Sequence, residues 1–366
     1  MSSKIDKVLQ QEDAERRASC KQVFKSLKKD ADLPDWEGFL HPAKVLFVRG
    51  GSGQVHVGDV LRGVFPTLAY LRSRDMRVVL ASSPGLEKIF GEWKDTLKIL
   101  NGNKQPEELA QDFMAEHGEA SVKWHELLRE WTEKLKETFD EDGRPVVRSS
   151  ILPANVEQSR MLREDYSEGY QKKVMGIIWR TSMIGRDPNR NASLDDFKDI
   201  IKTYREEWNF VSLQYGSMEM TAEELGQFNS KKRKIIFDER IDPMKDYNGA
   251  AAQMAACDHI ISIDCSQIFQ AGAFGVPVSV LISEKRKHDY WKEFNLDEDG
   301  ICPFFPETAR VFTQDKLGEW DSPVSRAWHH AAEDVSRRGA WEHPAAQAVK
   351  KALQSKAQVI PLHNVA

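Results

Sequence analysis

Apolar residues along the chain alternate between short, near-continuous runs and segments in which they recur at helical spacing. The near-continuous runs predict β-strands at residues 44–49, 77–81, 174–179, 210–213, 234–237, 259–263 and 278–282, the last of which ends the sheet. The helical repeats predict helices at residues 60–71, 193–204, 247–256 and 267–274. Near-continuous apolar strands between helices are typical of a parallel sheet covered on both faces. The pattern therefore predicts an α/β fold with two Rossmann-like, doubly wound domains facing each other across a cleft.

The same pattern divides the chain into four parts. Residues 1–40 are a charged, helical N-terminal extension. Residues 41–155 form the first Rossmann-like domain, with a helical insertion at 105–140. Residues 156–320 form the second Rossmann-like domain, and residues 321–366 are C-terminal helices. A chain of 366 residues is long enough for two such domains.

Charge and composition exclude several classes of protein. The 52 basic and 57 acidic residues give a net charge of −5, which argues against a nucleic-acid binder. No apolar stretch approaches the ~20 residues of a membrane span, and the N-terminus lacks the apolar core of a signal peptide. The 4 cysteines share no C-x-x-C spacing, so neither a zinc site nor a disulfide framework is expected. We expect a cytoplasmic protein with no integral membrane segment, and peripheral membrane association stays open.

A strand-to-helix junction gives the sharpest chemical signal. The strand at 259–263 runs into Asp264, Cys265 and Ser266, and a helix follows at once. Asp264 or Ser266 is predicted to cap this helix, whose first-turn N–H groups would then form an anion site suited to a diphosphate. The alternative is an ordinary helix cap with no ligand.

Two loops after other strands carry further candidates. Arg180, Arg186 and Arg190 follow the strand at 174–179, and guanidinium groups match the geometry of phosphate oxygens. Solvated surface arginines are the alternative. In the glycine-containing loop after the first strand, Asp59 and His56 are candidate general bases. Asp59 is otherwise an ordinary acidic residue at a helix start.

Several stretches occur in the order and spacing of a known family. They are residues 176–179, 189–194, 210–214, 255–264, 271–277, 302–306, 310–314 and 318–320, with 58–61, Pro66 and 77–80 in the first half. Through them the second half resembles the GT-B glycosyltransferase domain found behind tetratricopeptide repeats in many bacterial proteins. More distantly, it is similar to the ADP-heptose:lipopolysaccharide heptosyltransferases.

The resemblance implies a glycosyltransferase of the hexosyl or heptosyl type, acting on a nucleotide-sugar donor and a hydroxyl of a glycan or protein acceptor. It implies that residues 41–155 are the acceptor-side domain and that residues 156–320 bind the nucleotide sugar. It implies no cofactor and no metal. Asp59 takes the place of the acidic residue proposed as catalytic base, with His56 its competitor. Arg190 falls where the family places a basic residue on the donor diphosphate. The remaining candidates for the donor side lie in the matched stretches or the adjoining loop: Arg180, Gln214, Asp264, Cys265 and Ser266.

The chain departs from the family at several points. Phe269 stands where the family usually has His, Cys265 where it has Thr, and His56 where it has a glycine; the repeats are absent. Two alternatives therefore remain. One is an inactive nucleotide-sugar-binding or scaffold protein of the same fold, and the other is a nucleotide-sugar epimerase.

Overall fold

The structure, a computed structural model, divides into two compact units, Met1–Ser150 and Ile151–Ala366. In the first it describes residues 44–49, 76–81, 97–100, 121–123 and Leu61; in the second, residues 152, 154–181, 188–289, 291, 300–302, 305 and 308–358. The predictions for residues 1–40 and 105–140 lie outside these ranges apart from 121–123, as does the helix predicted at 60–71 apart from Leu61.

Four parallel strands are described in the first unit: β1 (Lys44–Arg49), β2 (Met76–Ala81), β3 (Leu97–Leu100) and β4 (Ser121–Lys123). They lie in the order β3-β2-β1-β4. The pattern of apolar residues predicts β1 and β2 and misses β3 and β4. The two missed strands are short, with 4 and 3 residues, and each lies at an edge of the described sheet.

The second unit contains a six-stranded parallel sheet with the order β10-β9-β8-β5-β6-β7. The strands are β5 (Lys173–Ile178), β6 (Trp208–Ser212), β7 (Ile235–Ile236), β8 (His259–Ile263), β9 (Val278–Ile282) and β10 (Ala309–Thr313). Every residue of β8 and β9 is buried, so both faces of the sheet are covered. The prediction that the strand at 278–282 is the last one is wrong, because β10 follows it in the chain. β10 lies at the edge of the sheet, and three of its five residues are partly exposed.

Eight α-helices are described in this unit. They are α1 (Val156–Tyr166), α2 (Lys198–Tyr204), α3 (Met218–Phe228), α4 (Tyr247–Ala256), α5 (Ser266–Phe274), α6 (Glu284–Asp289), α7 (Asp321–Arg338) and α8 (Pro344–Gln358). Short 3₁₀ helices cover Pro188–Arg190 and Leu194–Phe197. No helix in the described ranges is long and apolar enough to cross a membrane.

Helix α7 packs across one face of the sheet. Trp328 contacts Trp208 at a ring-centroid distance of 5.2 Å and Phe210 at 5.8 Å, both on β6. Its indole is fully buried, and such aromatic contacts contribute beyond the apolar area that they remove from water. Helix α7 thereby covers and stabilises this face of the sheet.

A buried ion pair joins helix α1 to the start of β8. Arg163 donates through Nη1 to the Asp258 carboxylate at 2.7 Å, and the two side chains are 2% and 0% exposed. Asp258 also accepts the Val174 N–H at 2.6 Å and the Trp341 N–H. This carboxylate therefore connects the first helix of the unit, strand β5 and the segment between α7 and α8.

The first and last helices of the unit are also packed together. Trp341, Ala346 and Val349 form a buried cluster against which Val156 of α1 and Leu353 of α8 pack. The two ends of the second unit are therefore in contact through α1 and α8.

Candidate functional site

The carboxyl ends of three central strands lie at one edge of the second sheet. Ile178 at the end of β5 pairs with Ser262 of β8, and Ile263 at the end of β8 pairs with Leu281 of β9. Because the strands are parallel and in this register, the segments that follow them leave the sheet side by side. Ligands of open α/β sheets bind at such an edge.

Helix α5 begins at this edge, directly after β8. Its N-cap is Cys265, in an extended conformation with φ −151°, and no side chain caps the helix. The prediction that Asp264 or Ser266 caps it is therefore wrong. Cys265 occupies the cap position, while the Asp264 carboxylate is directed to arginine side chains and Ser266 is the first residue of the helix. The first-turn N–H groups of a helix have no carbonyl partner within it, so the start of α5 carries partial positive charge.

Arg190 reaches this helix start from the loop after β5. Its Nε donates to the main-chain carbonyl of Asp264 at 2.7 Å, and its Nη2 donates to the same oxygen. The Nη2 group also lies 3.5 Å from the Asp264 carboxylate. The structure thus brings together two regions that the sequence assigned to one site, although 74 residues separate them.

A second arginine, Arg286, holds the Asp264 carboxylate. It lies on α6, just after β9, and its Nε donates to Asp264 Oδ2 at 2.8 Å. The Asp264 side chain is 2% exposed, against 17% for Arg286 and 12% for Arg190. Arg286 is not among the predicted site residues, although it follows a predicted strand at the same sheet edge. It stands among the exposed residues Glu284, Lys285 and Lys287, which resemble an ordinary charged surface.

Gln214 holds the start of the loop after β5. Its Oε1 accepts the N–H groups of Trp179 at 3.2 Å and Arg180 at 3.1 Å. Its Nε2 donates to the carbonyls of Arg180 and Tyr215, both at 2.9 Å. The buried amide is fully engaged with the main chain, so here Gln214 shapes the loop. A direct contact with a donor stays a prediction.

Arg180 is also engaged inside the protein. Its Nε pairs with Glu224 at 2.9 Å and its Nη2 donates to Thr221 at 3.0 Å, both on α3. The side chain is 3% exposed, and its Nη1 is buried without a hydrogen-bond partner in the described ranges. Arg180 thus fastens the loop to α3, and its predicted contact with a donor is untested.

Cys265 and Phe269, at the N-cap and in the first part of α5, are both buried. Burial raises the pKa of the Cys265 thiol to about 11, against the opposing effects of Ser262, the main-chain N–H of Gln267 and Arg190. The thiol is therefore protonated at neutral pH and unsuited to act as a nucleophile. Phe269 is buried and stacks on Trp291 with ring centroids 6.4 Å apart.

Gln267, the second residue of α5, carries an unsatisfied acceptor. Its side chain is 8% exposed, and its Oε1 has no hydrogen-bond partner among the residues described. A buried acceptor without a donor is costly, so this oxygen calls for a donor that a water molecule or a ligand can supply.

The candidate bases Asp59 and His56 lie outside the described residues. In the described part of the chain, no group of three or more His, Cys, Asp or Glu side chains is arranged to hold a metal ion.

Comparison with solved structures confirms the predicted α/β fold of the GT-B type. The E. coli ADP-heptose LPS heptosyltransferase II matches with a TM-score of 0.52 and 12% identity, over 80% of this chain and 99% of that one. A glycosyl transferase family 9 structure from Veillonella parvula matches with a TM-score of 0.48 and 14% identity, over 87% and 97%. A putative UDP-N-acetylglucosamine 2-epimerase from Listeria monocytogenes matches with a TM-score of 0.41 and 10% identity, over 88% and 97%. No protein-family model and no curated protein sequence matches the chain.

Proposed function

We propose that this protein is a glycosyltransferase that moves a sugar from a nucleotide-diphosphate sugar to a hydroxyl group of a glycan or protein acceptor. The observation that carries the proposal is the position of Arg190 at the start of α5, where the carboxyl ends of β5 and β8 meet. The GT-B type of fold supports it.

The donor diphosphate would bind at the start of α5. The first-turn N–H groups and the helix dipole attract an anion there. Arg190 adds a full positive charge that is 12% exposed, so water screens it less than a surface arginine. Its Nε and Nη2 are anchored to the Asp264 carbonyl, while Nη1 makes no hydrogen bond to the described residues. This nitrogen is the one that a phosphate oxygen would engage.

The nearby Gln267 would help to select the donor. Its buried Oε1 needs a hydrogen-bond donor, and hydroxyl groups of a ribose or a sugar supply one. A ligand that combines phosphates with hydroxyl groups therefore satisfies both features of the helix start.

The reaction would be a direct displacement at the anomeric carbon. The acceptor oxygen forms a bond to that carbon as the bond from the carbon to the phosphate oxygen breaks, and Asp59 or His56 takes the acceptor proton. Negative charge grows on the departing nucleoside diphosphate, which Arg190 and the α5 start would stabilise. Since these groups supply the positive charge, we propose that no divalent ion and no cofactor take part.

Turnover of a panel of ADP-, GDP-, UDP- and CDP-sugars, measured as released nucleoside diphosphate, tests the proposal. A glycosyltransferase releases the nucleoside diphosphate only as it glycosylates an acceptor, so the release depends on the acceptor. An epimerase instead converts the free donor without any acceptor. Donor binding seen as a thermal shift, with no turnover of any donor, would identify an inactive binding protein. Turnover that EDTA abolishes and magnesium restores would contradict metal independence.

A further inference from the structure

We propose that Arg286 is a positioning residue of this donor site: it neutralises the Asp264 carboxylate, so that the charge of Arg190 remains available to an anionic ligand. The inference rests on the proposed donor site and adds a residue to it that lies on a different element, α6.

Asp264 poses an electrostatic difficulty for an anion site. Its carboxylate is buried at the residue just before the N-cap of α5, where a phosphate would bind. A buried negative charge at this position repels a phosphate and competes with it for any neighbouring cation. With Arg190 alone, the pair would have no net charge. Arg286 raises the net charge of the three groups to one positive unit.

The two arginines contact different groups of Asp264. Arg286 makes the short contact with the carboxylate, Nε to Oδ2 at 2.8 Å, whereas the nearest approach of Arg190 to it is 3.5 Å. The short contacts of Arg190 go instead to the main-chain carbonyl of Asp264. Arg190 is therefore held in place by the backbone and does not depend on the carboxylate for its position.

Burial makes this balance matter. All three side chains are at most 17% exposed, so solvent screens their charges less than it screens surface pairs. Two guanidinium groups converge on one residue here, and the carboxylate between them makes their proximity tolerable. Changing any one charge should therefore change the attraction for an anion.

Calorimetric binding of inorganic pyrophosphate to the full chain tests the inference through charge arithmetic. Arg286→Gln leaves no net charge and should weaken binding on the order of tenfold, the effect of one charge-assisted interaction. Asp264→Asn leaves two positive charges and should tighten binding severalfold. The double variant restores one positive charge and should return to within about threefold of the unaltered protein.

Arg205→Gln is the matched control, because Arg205 also makes an Nε–carboxylate contact, at 2.9 Å to Glu206, but is exposed at the end of α2. It should leave pyrophosphate binding unchanged. Melting temperatures establish that each variant is folded. If Arg286→Gln does not fold, Asp264→Asn still decides, because the inference requires it to bind pyrophosphate more tightly.

Three results would overturn the inference: a double variant as weak as Arg286→Gln, weaker binding by Asp264→Asn, or no pyrophosphate binding by the unaltered protein. The first would mean that Arg286 contacts the ligand itself. The predicted pattern without turnover of any nucleotide sugar would leave the inference standing and contradict only the proposed transferase activity.

Discussion

Arg190 and Gln214 use their side chains in contrasting ways, although both were expected to contact a donor. All four hydrogen bonds of the Gln214 amide go to main-chain groups around the β5 end. The guanidinium of Arg190 is anchored on one side only. The residue type therefore tells which hydrogen bonds a side chain can make. The surrounding structure determines whether its donors and acceptors are already engaged with the main chain.

Replacing Arg190 should weaken donor binding without unfolding the protein. Arg190→Ala removes one charge-assisted interaction, so the affinity for a nucleoside diphosphate should fall by ~1–3 kcal/mol. Isothermal titration calorimetry measures this directly. Arg205→Ala, which removes an exposed arginine, serves as the control and should bind normally. Equal affinities for the Arg190 variant and the unaltered protein would refute the assignment.

The identity of the general base is predicted from the sequence alone. General-base catalysis typically contributes ~10²–10⁴-fold, so Asp59→Asn should lower turnover by about that factor and leave donor binding intact. Single-turnover rates at saturating donor measure the effect. His56→Ala is the paired variant, because an unperturbed histidine also titrates near neutrality. Normal turnover by Asp59→Asn with loss in His56→Ala would exchange the two roles.

At the scale of elements, helix α7 contacts the sheet through a polar cluster as well as through Trp328. His259 of β8 lies 3.0 Å from the Ser279 hydroxyl of β9, which lies 3.2 Å from His330 of α7. Asp334, one turn further along α7, is 3.4 Å from His259 Nδ1. Burial, and then the nearby His259, lowers the pKa of His330 to about 4. Burial also lowers the pKa of His259, against the opposing effect of Asp334.

These histidines should make the packing of α7 sensitive to acid. An unfolded histidine titrates near pH 6.5, whereas His330 in the folded protein stays neutral until about pH 4. Between these values the unfolded chain binds more protons, so the free energy of unfolding falls as the pH falls. His330→Gln keeps a hydrogen-bonding group and should reduce the slope of that decline by roughly 1 kcal/mol per pH unit. Urea unfolding at several pH values between those limits measures it.

The neighbouring charges bear on this result. Arg310 of β10 and Arg337 of α7 oppose protonation of His330, whereas Asp334 favours it. Protonation of His259 is opposed by Arg338 and favoured by Asp258. His329→Gln is the control, since His329 is exposed on the same helix and should leave the slope nearly unchanged. An unchanged slope in the His330 variant would show that the cluster does not carry the acid sensitivity.

The elements also show how far the sequence predicts the structure. The bounds of β8, β9 and α4 agree with the prediction, because near-continuous apolar runs bury every position of the two strands and the alanine-rich helix is buried from Gly249 to Ala256. β10 was missed because an edge strand carries partly exposed polar residues such as Arg310.

The same distinction holds at the candidate site. The meeting of Arg190 with residues 264–266 follows from parallel strands ending at one edge. Arg286 could not be distinguished from its exposed neighbours Lys285 and Lys287 in the sequence, because tertiary packing alone directs its side chain to Asp264.

At the scale of the molecule, the Arg163–Asp258 pair is a single contact on which several segments depend. Arg163→Met leaves the Asp258 carboxylate buried without its cation, and breaking such a pair costs ~3–5 kcal/mol. Denaturant unfolding should show this loss in the second unit. Arg160→Met is a matched control on the same helix. Arg160 is 35% exposed and pairs with Glu157 and Glu164 at the surface, where such pairs contribute ~0–1 kcal/mol. Similar losses for both variants would contradict the structural role of the buried pair.

The packing of α8 against α1 has a consequence for how this unit is inherited. Its first and last described helices lie against each other, so the two ends of the unit are held together by its own contacts. A stretch of coding sequence for such a unit can be duplicated, inserted or fused behind another domain through one peptide junction without opening the fold. Arg190, Asp264 and Arg286 all lie within it, so the proposed anion-binding arrangement would be inherited together with that stretch. Recombination could then join this unit to a different first unit, and the two units of the chain need not share one evolutionary history.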